Sequence, residues 1–513
     1  MSDNSASNKH IAKNTMFLYF RTMVTMVISL YTSRVILQVL GVDEYGIYQA
    51  VGGIVGFLSF INAALSQGSS RFITFGLGEG NKEKLRRIFS TTLTGHIILA
   101  VVIVCIAETA GYWFFHHKMV IPGDRMYAAE WVFHFSILTV FFTLTQVPYN
   151  ACIIAHERMK IFAYVSIVDA VCKLFIVYLL LIGNIDKLIL YAILHFVLQV
   201  SILILYRFYC IRNFVESHFN LSIDIKILKD VAGFSSWSLF SNSAIALNNH
   251  GILILLNMFF SPAVVAARSI SIQVDMAVFH FVSNFQTAAI PQIVKRYATG
   301  DHEGSKRLLL DMAKYSYFLM LLLALPIFFS ADILLKLWLG IVPPYTSIFL
   351  KLILIQSLFH VFDTSFYKAL YAKGQLRENA LLSPTCLMIN FFIVYVLFKM
   401  GASPVALSWS TIAAYAVIGL LVKPILLIRI VDYTWGNIFS VILPCFKVTA
   451  FSSILPLAVH YYLLKLSCGE LSFFLIMIIV SVLSAFGVIW RLGLPPEVRT
   501  KLLSVVKNKL AKK

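Results

Sequence analysis

Polar residues interrupt the first long apolar run, among them Arg21, Thr25, Ser29, Thr32 and Ser33. At about 100° per residue of α-helix they fall within a sector of roughly 120°, with Leu, Val, Ile and Met on the other side. A guanidinium and hydroxyls on one helix face either line a water-filled lumen or form a polar seam between packed helices. Arginine is a poor choice for plain packing, which favours the lumen. Arg34 lies off the stripe, near the end of the run, where its long side chain could snorkel. The seventh apolar run repeats the pattern. Ser235, Ser238, Asn242 and Asn249 are spaced i, i+3, i+7, i+14 on one face, Ser241 and Asn248 flank them, and His250 is close.

Ionisable residues within apolar runs are costly and mark ion or substrate pathways. Asp169 and Lys173 stand at i, i+4 with Ser166 one turn earlier. That pair can neutralise itself, so a structural ion pair and an ion-coupling site both fit. Arg268 and Asp275 share one side of the eighth run, with Gln286 further along; seven residues rise about 10 Å, too far for direct contact. Gln356, His360, Asp363 and Tyr367 line one face of the tenth run. An unpaired acid near a histidine could bind a proton or Na⁺.

These residues need spans to hold them, and the composition supplies spans. The 513 residues are 59% hydrophobic and 13% charged, with a mean hydropathy of +0.83. Soluble domains run near one quarter charged, so this chain cannot cover a soluble surface of its size. Disorder and a disulfide-framed secreted domain are excluded as well. The fold class expected is an all-α polytopic membrane protein of about 14 transmembrane helices. Apolar windows fall near 15–38, 45–67, 90–114, 128–153, 161–182 and 188–209, then near 234–259, 264–290, 309–329, 346–370, 380–399 and 404–428, with a final pair near 438–464 and 470–490.

The formal charge of +18 invites a nucleic-acid reading. The basic residues instead collect in alternate loops, among them Lys82, Lys84, Arg86 and Arg87; Arg158 and Lys160; Lys226 and Lys229; Lys306 and Arg307; and the tail from Arg499 to Lys513. The other loops carry Lys118, Arg125, Lys187, Lys336, Lys399 and Lys465. By the positive-inside rule the rich set, and both termini, face the cytoplasm, and no nucleic-acid partner is expected. The seven cysteines are scattered without a CxxC and read as core residues. The N-terminus reads as an uncleaved first span.

Two of the basic loops look alike. Gly76 to Ile88 and Ala298 to Leu309 each give glycine, an acid, a small residue, a basic pair and an apolar helix start. Repeats of six spans are a transporter signature. The organisation expected is a cytoplasmic tail at 1–13, an N-lobe at 14–215, a C-lobe at 216–430, two extra spans at 431–490, and a basic tail at 491–513. In that tail Leu502, Leu503, Val506 and Leu510 share a face; it either lies on the inner leaflet or is solvated.

GxSxG, HExxH and GxxxxGK[ST] are all absent from the sequence. The external loops expected are about a dozen residues or fewer, too short to hold a sugar and its catalyst. No catalytic residue, metal site or organic cofactor is expected.

The stretch TSRVILQVLGVDEYGIYQAVGGIVGFLSFINAALSQGSSRFIT resembles the opening of bacterial polysaccharide transporters, the O-antigen flippases. Arg34, Leu40-Gly41, Asp43-Glu44 and Tyr45-Gly46-Ile47-Tyr48 carry the likeness. AVVAARSISIQVDMAVFHFVSNFQTAAIPQIVKRYATGD, from Ala263, is similar to their eighth span. Elsewhere the likeness is mainly one of topology. It implies a two-lobed, alternating-access fold of the superfamily that includes multidrug exporters and the lipid II flippase. It also implies a cationic cavity for an undecaprenyl pyrophosphate headgroup, with Arg21, Arg34 and Arg268 as the matching basic residues. The final pair of spans resembles the extra pair of the lipid II flippase, a departure from the twelve spans of many O-antigen flippases.

The function expected is a flippase for a lipid-linked oligosaccharide in the bacterial inner membrane. Arginine grips phosphate oxygens in bidentate geometry. Thr25, Ser29, Ser238, Asn242 and Asn249 would bind sugar. Asp275, Asp363, His360, Asp169 and Lys173 would couple transport to H⁺ or Na⁺. The bilayer is one partner, and the resemblance implies a glycan polymerase and a chain-length regulator as others. A cation-coupled multidrug exporter on the same fold would prefer acids to arginines in its cavity. A lipid II flippase and a membrane glycan polymerase or acyltransferase rank lower.

Overall fold

The computed structural model describes residues 2–500 except 157, 183–184, 219–223, 376 and 467–468, together with residue 504. The side chains of residues 2–19 and 234–237, Ser235 among them, fall outside that description, as do Leu502, Leu503, Val506 and Leu510 of the expected amphipathic tail. Regular structure among the described residues is entirely helical, and the protein is an all-α polytopic membrane protein.

Contacts divide the chain into two compact units. The first comprises residues 1–270 and 387–404. It holds α1 (Ser2–Leu40), α2 (Val42–Phe57), α3 (Ser59–Gly78), α4 (Lys82–Ile106), α5 (Tyr112–Lys118), α6 (Met126–Ala155), α7 (Met159–Leu179), α8 (Lys187–Asn213), α9 (Ile225–Ala246), α10 (Ile252–Phe259) and the start of α11 (Pro262–Ala298). The second comprises residues 271–386 and 405–513. It holds the rest of α11, α12 (His302–Leu339), α13 (Thr346–Lys373), the start of α14 (Arg377–Lys399), α15 (Ala406–Val417), α16 (Lys423–Val431), α17 (Trp435–Lys465) and α18 (Glu470–Val488).

Thirteen described helices are long and apolar enough to cross a membrane. The expected span 45–67 falls on α2 and α3, which meet at Leu58 and are not among those thirteen. Helix α2 has 16 residues, short of the roughly 20 that a bilayer needs. The second piece carries Asn62, Ser66, Ser69, Ser70 and Arg71, which dilute its apolar character. Among the described residues, π-helical turns interrupt spans at Ala107–Gly111, Leu247–Gly251 and Ile418–Val422, and another, Ile489–Gly493, ends the last span. Such turns often mark functional positions.

The two similar loops fold alike. Gly80 and Gly300 adopt φ of 73° and 82°, a region that glycine enters without a Cβ clash. The next residue caps the following helix in each case: Asn81 Oδ1 accepts from the Lys84 amide at 3.0 Å and Asp301 Oδ1 from the Gly304 amide at 2.9 Å. Glu83 with Arg86-Arg87 and Glu303 with Lys306-Arg307 then occupy equivalent places in the first turns.

Candidate functional site

Within the first unit, α1 packs along α7, and α8 along both α6 and α7. This packing splits the polar stripe of α1 into two parts. Thr32 and Ser33 are buried; their hydroxyls donate to the carbonyls of Ile28 and Ser29 at 2.7 and 3.0 Å, and Ser33 also bonds the buried Tyr45 hydroxyl. That half is a packing seam. Arg21 and Thr25 are half-buried and Ser29 is exposed. The Arg21 guanidinium lies over the Phe162 ring, 4.9 Å from its centroid, a cation–π contact.

One turn and more along α7, Lys173 Nζ donates to Asp169 Oδ2 at 2.7 Å, and Gln199 Nε2 donates to Asp169 Oδ1 at 3.3 Å. The buried Tyr206 bonds Ser166, within electrostatic reach of both Asp169 and Arg21, and His195 is similarly close to Lys173. Asp169 and Lys173 are therefore not a self-contained pair but the centre of a network over α1, α7 and α8. The sequence reading missed its α8 members. His195, Gln199 and Tyr206 stand at i, i+4 and i+11, one face of a helix, and that spacing could have found them.

The remaining basic residues are distributed. Arg34 is half-buried, thirteen residues beyond Arg21 on α1, a rise of about 20 Å. One diphosphate cannot touch both at once. Arg268 is 3% exposed on α11. On α9 the Asn242 amide donates to the Ser238 carbonyl at 2.8 Å. The π-helical turn Leu247–Gly251 interrupts the α-helical spacing assumed for Asn249; Asn248 is buried there and Asn249 is exposed. Gly56 of α2 leaves room for this turn: a Cβ on it would stand 2.6 Å from His250 Nδ1.

Within the second unit, the acid read as unpaired is paired. Lys423, at the start of α16, places Nζ 2.9 Å from Asp363 Oδ1. His360 Nε2 lies 3.9 Å from Asp363 Oδ2, and its ring stacks on Phe279 at 4.5 Å. The pairing was hidden because sixty residues separate Asp363 from Lys423. Asp275 also has a partner, since Ser357 Oγ donates to its Oδ1 at 2.5 Å. Gln286 donates to the hydroxyls of Thr364 and Ser365 at 3.1 and 2.9 Å.

The comparisons with known proteins bear on what such clusters serve. Residues 11–297, more than half of the chain, match the family model described as polysaccharide biosynthesis protein. The chain belongs to the polysaccharide biosynthesis protein family. The matched stretch carries Arg21, Arg34, Asp169, Lys173, Arg268 and Asp275, while Asp363 and Lys423 lie beyond it. No curated protein matches in sequence.

Solved structures show the fold of this family member. A structure of the lipid II flippase MurJ in an inward closed conformation is similar with a TM-score of 0.70 at 12% identity, over 92% of this chain and 97% of that one. An inward-facing multidrug resistance MATE family transporter of the MOP superfamily gives 0.67 at 14% identity, over 81% and 99%. A MOP superfamily transporter from Pyrococcus furiosus gives 0.59 at 14% identity, over 83% and 97%. The protein therefore has a MOP-type transporter fold, and the likeness to the flippase covers more of the chain than the other two.

Proposed function

We propose that this protein moves an undecaprenyl-pyrophosphate-linked oligosaccharide across the bacterial inner membrane by alternating access. The observation that carries the reading is the family match, to proteins of polysaccharide biosynthesis, in a chain with a transporter fold. A glycan pathway needs its lipid-linked intermediate carried across a bilayer, and a multi-pass protein without catalytic motifs suits that step.

In this reading the pyrophosphate meets Arg21 and Arg268, whose guanidinium forks match phosphate oxygens. Arg34, about 20 Å further along α1, meets the headgroup at another depth of its path. Thr25, Ser29, Ser238, Asn242 and Asn249 offer hydroxyl and amide groups to the sugars, and the prenyl chain stays in lipid. Asp275, Asp363 with His360, and the Asp169–Lys173 pair couple the cycle to protons or sodium. The lobe division at 14–215 and 216–430, the two extra spans, the cytoplasmic termini, and the glycan polymerase and chain-length regulator as partners belong to the same proposal.

Depletion of the protein tests it. Loss of surface or secreted glycan, with drug susceptibility unchanged, is the expected outcome. Raised drug susceptibility with normal glycan would point to an exporter and refute the flippase.

A further inference from the structure

Lys423 follows directly on the π-helical turn Ile418–Val422, and its side chain is 2% exposed. Its ammonium touches Asp363 Oδ1 at 2.9 Å, donates to Asn379 Oδ1, and lies 5.3 Å from the Tyr367 ring centroid. The turn approaches α13 closely. A Cβ on Gly419 would stand 2.8 Å from the Phe359 carbonyl oxygen, so only glycine allows this approach without a shift. Three elements thus fix the ammonium on the carboxylate: α13, α14 and α16 with its preceding turn.

Other ionisable groups face the pair. On α13 itself these are His360, Tyr367 and Lys368. Cys386 comes from α14, and Tyr415 of α15 packs on His360 with ring centroids 4.8 Å apart. From α12, Tyr317 stacks on Phe362, the residue before Asp363.

We propose that Lys423 is the resident cation of the Asp363 site and makes that site responsive to protons and closed to sodium. The inference rests on the ion-coupled reading above and names the ion. Sodium, a hard cation, needs several oxygen ligands. Here one carboxylate oxygen is held by an ammonium and the other faces an imidazole. A second metal cation would also sit beside a buried positive charge, where the low dielectric magnifies repulsion. A proton brings the same charge but needs no shell of ligands, since it bonds to a single carboxylate oxygen. It adds to the Asp363 carboxylate to give the neutral acid, while Lys423 keeps its three protons and loses its counter-charge. The freed ammonium can then turn to an anion; loss of the proton restores the pair.

Infrared spectroscopy of the purified full-length protein tests this without any glycan. Acidification should raise a carboxylic C=O band that is missing in Asp363→Asn, an isosteric change. Exchanging choline for sodium at equal ionic strength should leave the wild-type band unchanged. In Lys423→Met, which keeps the length of the side chain, sodium should weaken the band by competing for the carboxylate. A wild-type band that sodium suppresses would overturn the proposal. So would a wild type with no Asp363-dependent band, which would mark a fixed structural ion pair. If Lys423→Met does not fold, the wild type and Asp363→Asn still decide. Failure here would leave the flippase reading standing, and failed export beside an intact proton response would sink that reading alone.

Discussion

Arg125 grips Asp186 through both terminal nitrogens, Nη1 to Oδ2 at 2.8 Å and Nη2 to Oδ1 at 3.3 Å. Its Nη2 also meets Glu44 Oε1 at 2.6 Å, and Asp186 caps α8 by accepting from the amides of Leu188 and Ile189. One guanidinium thereby ties the starts of α2, α6 and α8 together inside the first unit. The acid of the Asp43-Glu44 motif is thus a clasp residue.

The clasp should show in the pH dependence of stability. Burial opposes ionisation of Asp186, but Arg125 and the two helix amides outweigh it and hold the carboxyl below its ordinary value. A lowered carboxyl stabilises the fold above its unfolded value, about 3.9, and the contribution is lost as pH falls through the lower folded value. Glu44 is shifted up, because burial outweighs Arg125. Its contribution has the opposite sign: present below its unfolded value and lost as pH rises through the folded one. Asp186→Asn should therefore flatten the fall in thermal midpoint below about pH 4. Asp186→Ala should cost about 1–2 kcal/mol at neutral pH, from the lost cap and ion pair. An unchanged acid limb in Asp186→Asn would contradict the assignment.

Gly46, in the Tyr45-Gly46-Ile47-Tyr48 motif, is a point of close approach. A Cβ there would lie 2.0 Å from the Pro262 carbonyl oxygen, a backbone atom that cannot turn aside. Gly46→Ala should cost about 1–3 kcal/mol or more through overpacking. Thermal midpoint and yield in detergent check this, with Gly52→Ala, which meets nothing within 4 Å, as the matched control. Equal behaviour of the two variants would be the contrary result.

Much of the fold was legible because apolar length and basic loops are local signals. The loops around Gly80-Asn81 and Gly300-Asp301 were legible for the same reason, since glycine and an Asx cap encode their own geometry. The division of 45–67 into α2 and α3 was not, because the apolar window runs without interruption through Leu58. At the site, Asp169–Lys173 could be read from i, i+4 spacing. Lys423–Asp363 could not, as nothing local joins residues sixty apart. On α1, periodicity alone could not tell that Thr32 and Ser33 are buried while Ser29 is exposed.

The network around Asp169 makes a double-mutant prediction. Lys173→Ala leaves the carboxylate with Gln199 as its amide partner, and Asp169→Ala strands an ammonium. Each single change should destabilise by more than the combined Asp169→Ala/Lys173→Ala change, since stranding one charge of a buried pair costs about 3–5 kcal/mol. The side chains are 35% and 24% exposed, which should reduce that figure to about 1–3 kcal/mol. Thermal unfolding of the three variants measures the coupling, and strict additivity would show that the two charges do not support each other.

The central claim is that this chain carries a lipid-linked glycan past Arg21 and Arg268. Mass spectrometry of the lipid-linked sugars in cells depleted of the protein tests it most directly, with wild type, Arg21→Ala or Arg268→Ala supplied in trans. Depletion should make an undecaprenyl-pyrophosphate glycan accumulate, and wild type should clear it. Each arginine variant, present in the membrane at the wild-type level, should clear it roughly 10–150-fold more slowly, the equivalent of about 1.5–3 kcal/mol for a lost hydrogen bond to a charged group. No accumulation on depletion, or clearance by both variants at the wild-type rate, would contradict the account.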